Sequence, residues 1–230
     1  MTFFDELQNA SEFGRKTLYE APIFSAIEDG RFDINSYTYF LSQAYHHVKH
    51  TAPLMMACGA RLPDRLEPVR KALVEYIEEE YGHHEWILND LKACAVDPDT
   101  VRNGQPDLPI RLMVAFLYDL INRGNPVGLF GMVQVLEGTS VAVATPMGEK
   151  VQRTLNLPDT AFSYLYSHGS LDQEHFQFFQ SLMNGITERE DQRAIVDAAN
   201  VVYRLYGDML RDVPLASPAD RIREVRRGLA

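Results

Sequence analysis

Apolar residues recur every three to four positions along most of the chain, the period of an α-helix, and no convincing run alternates with the period of a strand. The pattern predicts a first helix over 3–19 and a short second one over 22–29, ended by Gly30. Residues 35–60 follow, with Tyr37, Phe40, Leu41, Ala44, Tyr45 and Val48 at helical spacing, and Pro53 is expected to kink that helix. A long helix is predicted over 64–95, its stripe formed by Leu66, Val69, Leu73, Ile77, Ile87 and Leu91. The turn formers in DPDTVRNGQPD make 97–107 a loop. Helices over 108–122, 126–155, 159–185 and 188–210 complete the pattern, the last with Thr187 and Glu190 as a capping box. Residues 213–230, Pro-containing and arginine-rich, are expected to form a docked tail. The expectation is one all-α domain over 1–230, a bundle of about seven to eight helices without internal repeat.

Composition narrows the function classes. A chain of 230 residues, 46% hydrophobic, suits one substantial core. A net charge of −10 leaves no basic face for nucleic acid. Polar residues interrupt the apolar stretches short of a bilayer crossing, and MTFFDELQNA carries acid where a secretory signal carries lysine. No membrane partner is therefore expected, and the cytoplasm is the expected location. Cys58 and Cys94 are too few for a disulfide framework and fall in helical segments. They read as small buried apolar residues in a reducing compartment.

Three segments carry chemistry. In SHGSLDQEHFQFF, on the helix predicted over 159–185, Leu165, Phe179, Leu182 and Met183 define the apolar stripe, and His168, Asp172 and His175 fall in its middle. Three ionisable groups on a core-facing line are costly to bury unless they pair or bind a cation. Their i, i+4, i+7 spacing puts them on one face, and two imidazoles with a carboxylate suit iron or manganese. A buried hydrogen-bond network would also accommodate them. Glu137 is the only charged residue between Pro126 and Glu149, in VGLFGMVQVLEGTSVAVATPMG. A carboxylate there needs a metal, an arginine from elsewhere in the fold, or a proton. In YIEEEYGHHEWILNDL, Glu80 lies near the centre of the stripe and forms a Glu-x-x-His pair with His83, the arrangement by which di-iron carboxylate bundles supply a carboxylate and an imidazole from one helix. His84 lies nearer the stripe than His83, so periodicity leaves both open. Together the segments offer three carboxylates and three histidines from three helices.

Other ionisable groups fall outside these three segments or beside them. His46 and His50 face away from the stripe of their helix, toward solvent or a supporting position, while His47 sits at its edge and could line a pocket. Asp90, seven residues after His83, could orient it by a hydrogen bond. Tyr81, Tyr164 and Tyr166 are candidate pocket borders or ordinary core tyrosines.

Glu80-x-x-His83 before EWILNDL, the isolated Glu137 in VLEGTS, and His168-x3-Asp172-x2-His175 occur in an order and spacing that resembles the haem-oxygenase-like di-iron oxidases. That group lies within the superfamily of TenA-type thiaminases and PqqC-type oxidases. The likeness spans about residues 35–185, and the helical pattern extends it to nearly the whole chain. It implies a seven-helix haem-oxygenase-like bundle, often dimeric, so a homodimer is expected. It also implies two iron ions (Fe2+/Fe3+, replaceable by another divalent metal) held by Glu80, His83, Glu137, His168, Asp172 and His175. The histidine after the glycine is the ligand in such segments, which favours His83 over His84. Glu80 or Glu137 would bridge the metals, with Glu80, Glu137 and Asp172 as the catalytic carboxylates. Dioxygen would be the cosubstrate and a small molecule the substrate, oxidised at a C–H, C–C or N–H bond in secondary or cofactor metabolism. The chain lacks a segment matching the nucleophilic cysteine of a TenA-type thiaminase, and its first histidine is His46, not the N-terminal axial ligand of a true haem oxygenase. The alternatives are a metal-independent TenA- or PqqC-like enzyme, with Glu137 and the histidines as acid–base groups, and a ligand-binding or regulatory protein of the same fold.

Overall fold

The computed structural model describes residues 1–217, apart from the side chains of 168–176. Twelve α-helices account for most of these residues, and no strand occurs among them. They are α1 (Phe3–Ala10), α2 (Glu12–Tyr19), α3 (Pro22–Asp29), α4 (Ile34–Val48), α5 (Thr51–Arg61), α6 (Glu67–Glu80), α7 (His83–Ala93), α8 (Pro98–Arg102), α9 (Leu108–Arg123), α10 (Leu129–Leu155), α11 (Ser163–Asn184) and α12 (Arg189–Asp212).

The larger number of segments comes from breaks inside three predicted helices and from α8, a five-residue helix within the stretch 97–107 that was expected to be a loop. The stretch 3–19 divides at Ser11, whose hydroxyl donates to the Leu7 carbonyl, 2.7 Å away. The stretch 35–60 divides at Lys49 and His50, just ahead of Pro53. Proline lacks the N–H that would bond to the Lys49 carbonyl, so the chain breaks where a kink was expected. The stretch 64–95 divides at Tyr81 and Gly82, Tyr81 being extended and Gly82 left-handed with φ of 98°. Glu80 and His83 consequently lie on either side of a joint instead of on one helix. The capping box expected at Thr187 and Glu190 does not form: α12 begins at Arg189 after Glu188, which makes no side-chain cap. That end of α12 is held instead by the buried Asp191, which accepts from Arg65 and, at 2.7 Å, from the Asn125 amide.

α10 is the central element, packed against α11 on one side and α12 on the other. Its approach to α12 depends on Gly131, where a Cβ would lie 2.5 Å from both the Ala199 nitrogen and the Ile195 oxygen. The span Pro126–Leu155 is long and apolar enough to cross a membrane by length and composition, which corrects the expectation that no stretch reaches that limit. With 61% of its most apolar window buried, it has the character of a core helix. α7 joins the two halves, packing on α4 and on α11.

Asp90 makes the second of these contacts. Its carboxylate has no exposed surface and accepts from the N–H of Ser163 at 3.0 Å, the N–H of Tyr164 at 2.9 Å and the Ser163 hydroxyl. It therefore caps α11 from a different helix, satisfying N–H groups that have no partner within their own helix. Tyr37 supports the same corner: its hydroxyl donates to Ala161 at 2.6 Å and its ring stacks on Phe162. The tail begins by docking, Ala216 N–H donating to the Arg31 carbonyl and Ser36 to that of Pro214. Residues 218–230 lie outside the description.

Asp90→Ala, which strands buried N–H groups, should lower unfolding stability by about 2–3 kcal/mol in urea titrations. Gly82→Ala should cost about 1–2 kcal/mol, because no atom lies within 4 Å of the added Cβ and the strain is that of the backbone alone. Gly82→Asn should cost less.

Candidate metal centre

A cavity of about 140 Å³ runs between α3, α4, α10 and α12. Its α10 wall extends from Met132 to Val151, roughly 28 Å at the helical rise. The described lining is mostly apolar and includes no lysine or arginine. Its ionisable groups beside tyrosine are Glu80, from the end of α6, Glu137, from the middle of α10, and His47 of α4. Two predicted carboxylates from separate helices thus meet in one enclosure.

His83 completes the described part. It is 4% exposed, and its Nδ1 lies 3.2 Å from Glu80 Oε2. The left-handed turn at Gly82 directs it inward. His84 is partly exposed, 3.5 Å from Glu85 and edged against Tyr45. A continuous helix would have brought His84 nearer the stripe; the break reverses the order. The His83 ring stacks on Trp86 with centroids 4.1 Å apart and planes 27° from parallel.

Tyr76, four residues before Glu80, is a buried member that sequence reasoning passed over. Burial, then the charges of Glu137, Glu79 and Glu80, push its phenol well above the ordinary range. The hydroxyl is therefore within electrostatic reach of carboxylates from both α6 and α10 and remains protonated. It has no hydrogen-bond partner among the described residues. The i, i+4 spacing of Tyr76 and Glu80 was the available signal.

The side chains of His168, Asp172 and His175 lie outside the described residues. Their helix, α11, packs on both α10 and α7. Tyr164 and Leu165, just ahead of position 168, line the cavity, and a Cβ on Gly148 of α10 would meet Leu165 and Tyr166. Among the described residues no group of three or more His, Cys, Asp or Glu side chains is assembled. The described donors, two carboxylates and an imidazole, fit iron in chemistry, and the buried Tyr76 hydroxyl, which has no hydrogen-bond partner among the described residues, feels the charges of both carboxylates.

The family model described as iron-containing redox enzyme matches residues 38–207, more than half of the chain. The chain belongs to this family.

The fold of this iron-containing redox enzyme family member is haem-oxygenase-like. It is similar to a domain of unknown function with a haem-oxygenase-like fold from Shewanella denitrificans, at 22% identity and TM-score 0.80, covering 93% of this chain and 92% of that one. A TenA homologue from Pseudomonas syringae is similar at 11% identity and TM-score 0.76, with 90% of each chain covered. Haem oxygenase-1 from the cyanobacterium Synechocystis, solved with haem, is similar at 14% identity and TM-score 0.73, covering 100% of this chain and 98% of that one. No curated protein sequence matches.

Several expectations about neighbouring groups need correction. Asp90 caps α11 and does not orient His83; its i, i+7 spacing from His83 fits one helix face, but the start of α11 claims the carboxylate. Tyr81 is 73% exposed, at the surface of the joint. Tyr166 donates to Gln152 and packs on Phe162, while Tyr164 does line the cavity. Neither cysteine is among the described lining. Burial raises the Cys58 thiol to about 12, with Sγ donating to Pro126, and burial then Asp90 raise Cys94 to about 11. Both stay thiols at neutral pH, poorly suited to nucleophilic attack.

His46, expected on a face turned to solvent or to a supporting position, is 3% exposed, with Lys49 Nζ 3.3 Å from its Nδ1. The packing of α4 against α8 and α9 covers the face that periodicity marked as outer. Burial, then Lys49, push the imidazole down to about 4 from an ordinary 6.5. The unfolded chain therefore takes up this proton first. The stabilisation is complete above about pH 6.5 and is lost as pH falls toward about 4, at no more than about 1.4 kcal/mol per pH unit. Denaturant midpoints measured across that window should fall less steeply in His46→Gln than in the parent chain.

Proposed function

We propose that this chain is a dioxygen-activating, non-haem di-iron oxidase acting on a small molecule. The supporting observation is that Glu80 and Glu137 line one mainly apolar cavity, with His83 Nδ1 3.2 Å from Glu80 Oε2. Membership in an iron-containing redox enzyme family supports the same reading. Glu80, His83 and Glu137 would hold the metal from α6, α7 and α10, and His168, Asp172 and His175 would supply the remaining donors from α11.

Bound iron would supply the reduction of dioxygen and the oxidising power for a C–H, C–C or N–H bond. The protein's own contribution is positional and dielectric. Glu80 holds a carboxylate oxygen 3.2 Å from His83 Nδ1, which keeps a carboxylate and an imidazole side by side. Tyr76, buried and under the influence of both carboxylate charges, keeps its proton. Met55, Met132, Val133 and Leu136 line the enclosure and exclude water, which strengthens every polar interaction inside. The Asp90 cap fixes where α11 starts, and with it the register of positions 168, 172 and 175.

Anaerobic loading with ferrous iron followed by metal analysis should find about two ions per chain. Glu137→Ala, and separately His168→Ala with Asp172→Ala, should lower that number. Undiminished binding in both variants, with the fold intact by circular dichroism, would remove the site. Oxygen uptake with a fatty acid, an amino acid or an aryl amine would then sort the substrate class. Turnover by metal-free protein would favour acid–base chemistry by Glu80, Glu137 and His47.

A further inference from the structure

The cavity that holds the proposed centre is far longer than it is wide. A cavity of about 150 Å³ elsewhere takes a single benzene ring. Here about 140 Å³ is drawn out between Met132 and Val151 of α10, over roughly 28 Å at the helical rise. The result is a narrow bore that suits a thin molecule.

Neighbouring helices follow this bore from end to end. Cys58 of α5 donates to the Pro126 carbonyl just ahead of α10. At the other end Lys150 pairs with Glu28 of α3. There Tyr166, bonded to Gln152, stacks on Phe162, which stacks on Tyr37 of α4. The chain through α4 and α5 therefore runs antiparallel to α10, and α3 with the first half of α4 faces the later turns of α10.

The two carboxylates divide the bore unequally. Glu137 lies about 7.5 Å beyond Met132 and roughly 21 Å short of Val151 along the helix. Polar lining on α10 gathers at Glu137 and just past it, at Thr139 and Ser140. From there onward the α10 wall is Val143, Ala144, Met147 and Val151, faced by Phe24 and Ile27 of α3. Tyr37 borders this long arm too, but its hydroxyl is committed to the Ala161 carbonyl. A polar or charged segment placed in the arm would exchange water for almost no hydrogen-bond partners. Every methylene placed there is stabilised by leaving water, and the flexible Met147 side chain adapts to it.

We infer that the substrate is a linear aliphatic molecule, its tail lying along α10 from Val143 to Val151 and its head at Glu80 and Glu137, and that Ala144 helps to set the chain length. The place of the head rests on the reading of a metal centre, that of the tail on the cavity alone. Ala144 is 6% exposed and carries the smallest side chain on the α10 wall of the arm. A larger group at this position would close the arm short of Val151.

Calorimetry on the full chain, metal-free and anaerobically loaded with ferrous iron, tests this with hexyl, decyl and tetradecyl ligands below their micelle-forming concentrations. Each length is offered as acid, amine and alcohol. In the parent, affinity should rise about fourfold per added methylene until the arm is full, with the same trend for all three heads. Ala144→Phe should bind hexyl ligands as the parent does and tetradecyl ligands about tenfold or more weakly. Phe24→Ala, which opens the arm, should shift preference toward the tetradecyl ligand, and it decides the matter if Ala144→Phe does not fold. Affinity that ignores chain length in the parent would overturn the tail site, as would Ala144→Phe weakening all lengths alike, or Phe24→Ala leaving the preference unchanged. A head whose affinity rises on iron loading lies at the centre, as inferred; no change for any head would overturn that placement. Length-dependent binding by a chain that takes up no iron would overturn the metal centre and leave the tail site standing, and iron uptake without length dependence would do the reverse.

Discussion

A single buried carboxylate joins the two halves of the molecule. Asp90 lies on α7, yet its oxygens accept the first N–H groups of α11. Burial pushes its pKa up, and the bonds from Ser163 and Tyr164 oppose that shift. A carboxylate in such a place is tolerable only while those donors stay aimed at it. The register of α11 relative to α7 is therefore set by hydrogen bonds, where apolar packing alone would allow sliding. His83 sits seven residues before Asp90 on the same helix, and position 168 lies five residues after Ser163. One cap thus relates the Glu80–His83 pair to the segment carrying the remaining proposed ligands.

The cavity that this arrangement frames is electrically unusual. Most of its described wall is aliphatic or aromatic, and carboxylates enter it from α6 and α10. Low polarity amplifies each charge. The same property suits a centre that must bind a cation firmly and keep reactive oxygen species away from bulk water. His83 is buried between a partly exposed indole, on which it stacks, and the Glu80 carboxylate, 3.2 Å from its Nδ1.

Much of the fold was legible from periodicity. The long amphipathic segments, the Gly30 stop and the start of α10 after Pro126 all follow from local rules, whereas the short helix α8 formed within a stretch whose turn formers read as a loop. The breaks were less visible, because the apolar stripe continues on both sides of them. At Gly82 the only local sign was a glycine inside a strong helical pattern, which a helix tolerates at modest cost. That break decides which of His83 and His84 turns inward, so the helical wheel ranked them in the wrong order, while the resemblance to a known family favoured the buried one. His46 shows the same failure on another helix: its face looked outer because one helix was considered at a time, and α8 and α9 then covered it.

The amino-acid sequence by itself determined the helical class, the apolar stripes and the set of ionisable residues placed on them, because backbone hydrogen bonding and hydrophobic spacing act over a few residues. The tertiary structure decided which of those residues meet. That Glu80 and Glu137 share a cavity, that Asp90 serves α11 and not His83, and that Trp86 covers the His83 ring depend on how helices distant in the chain pack. No local period encodes such distances, since they are fixed only when separate helix faces compete for the same buried volume.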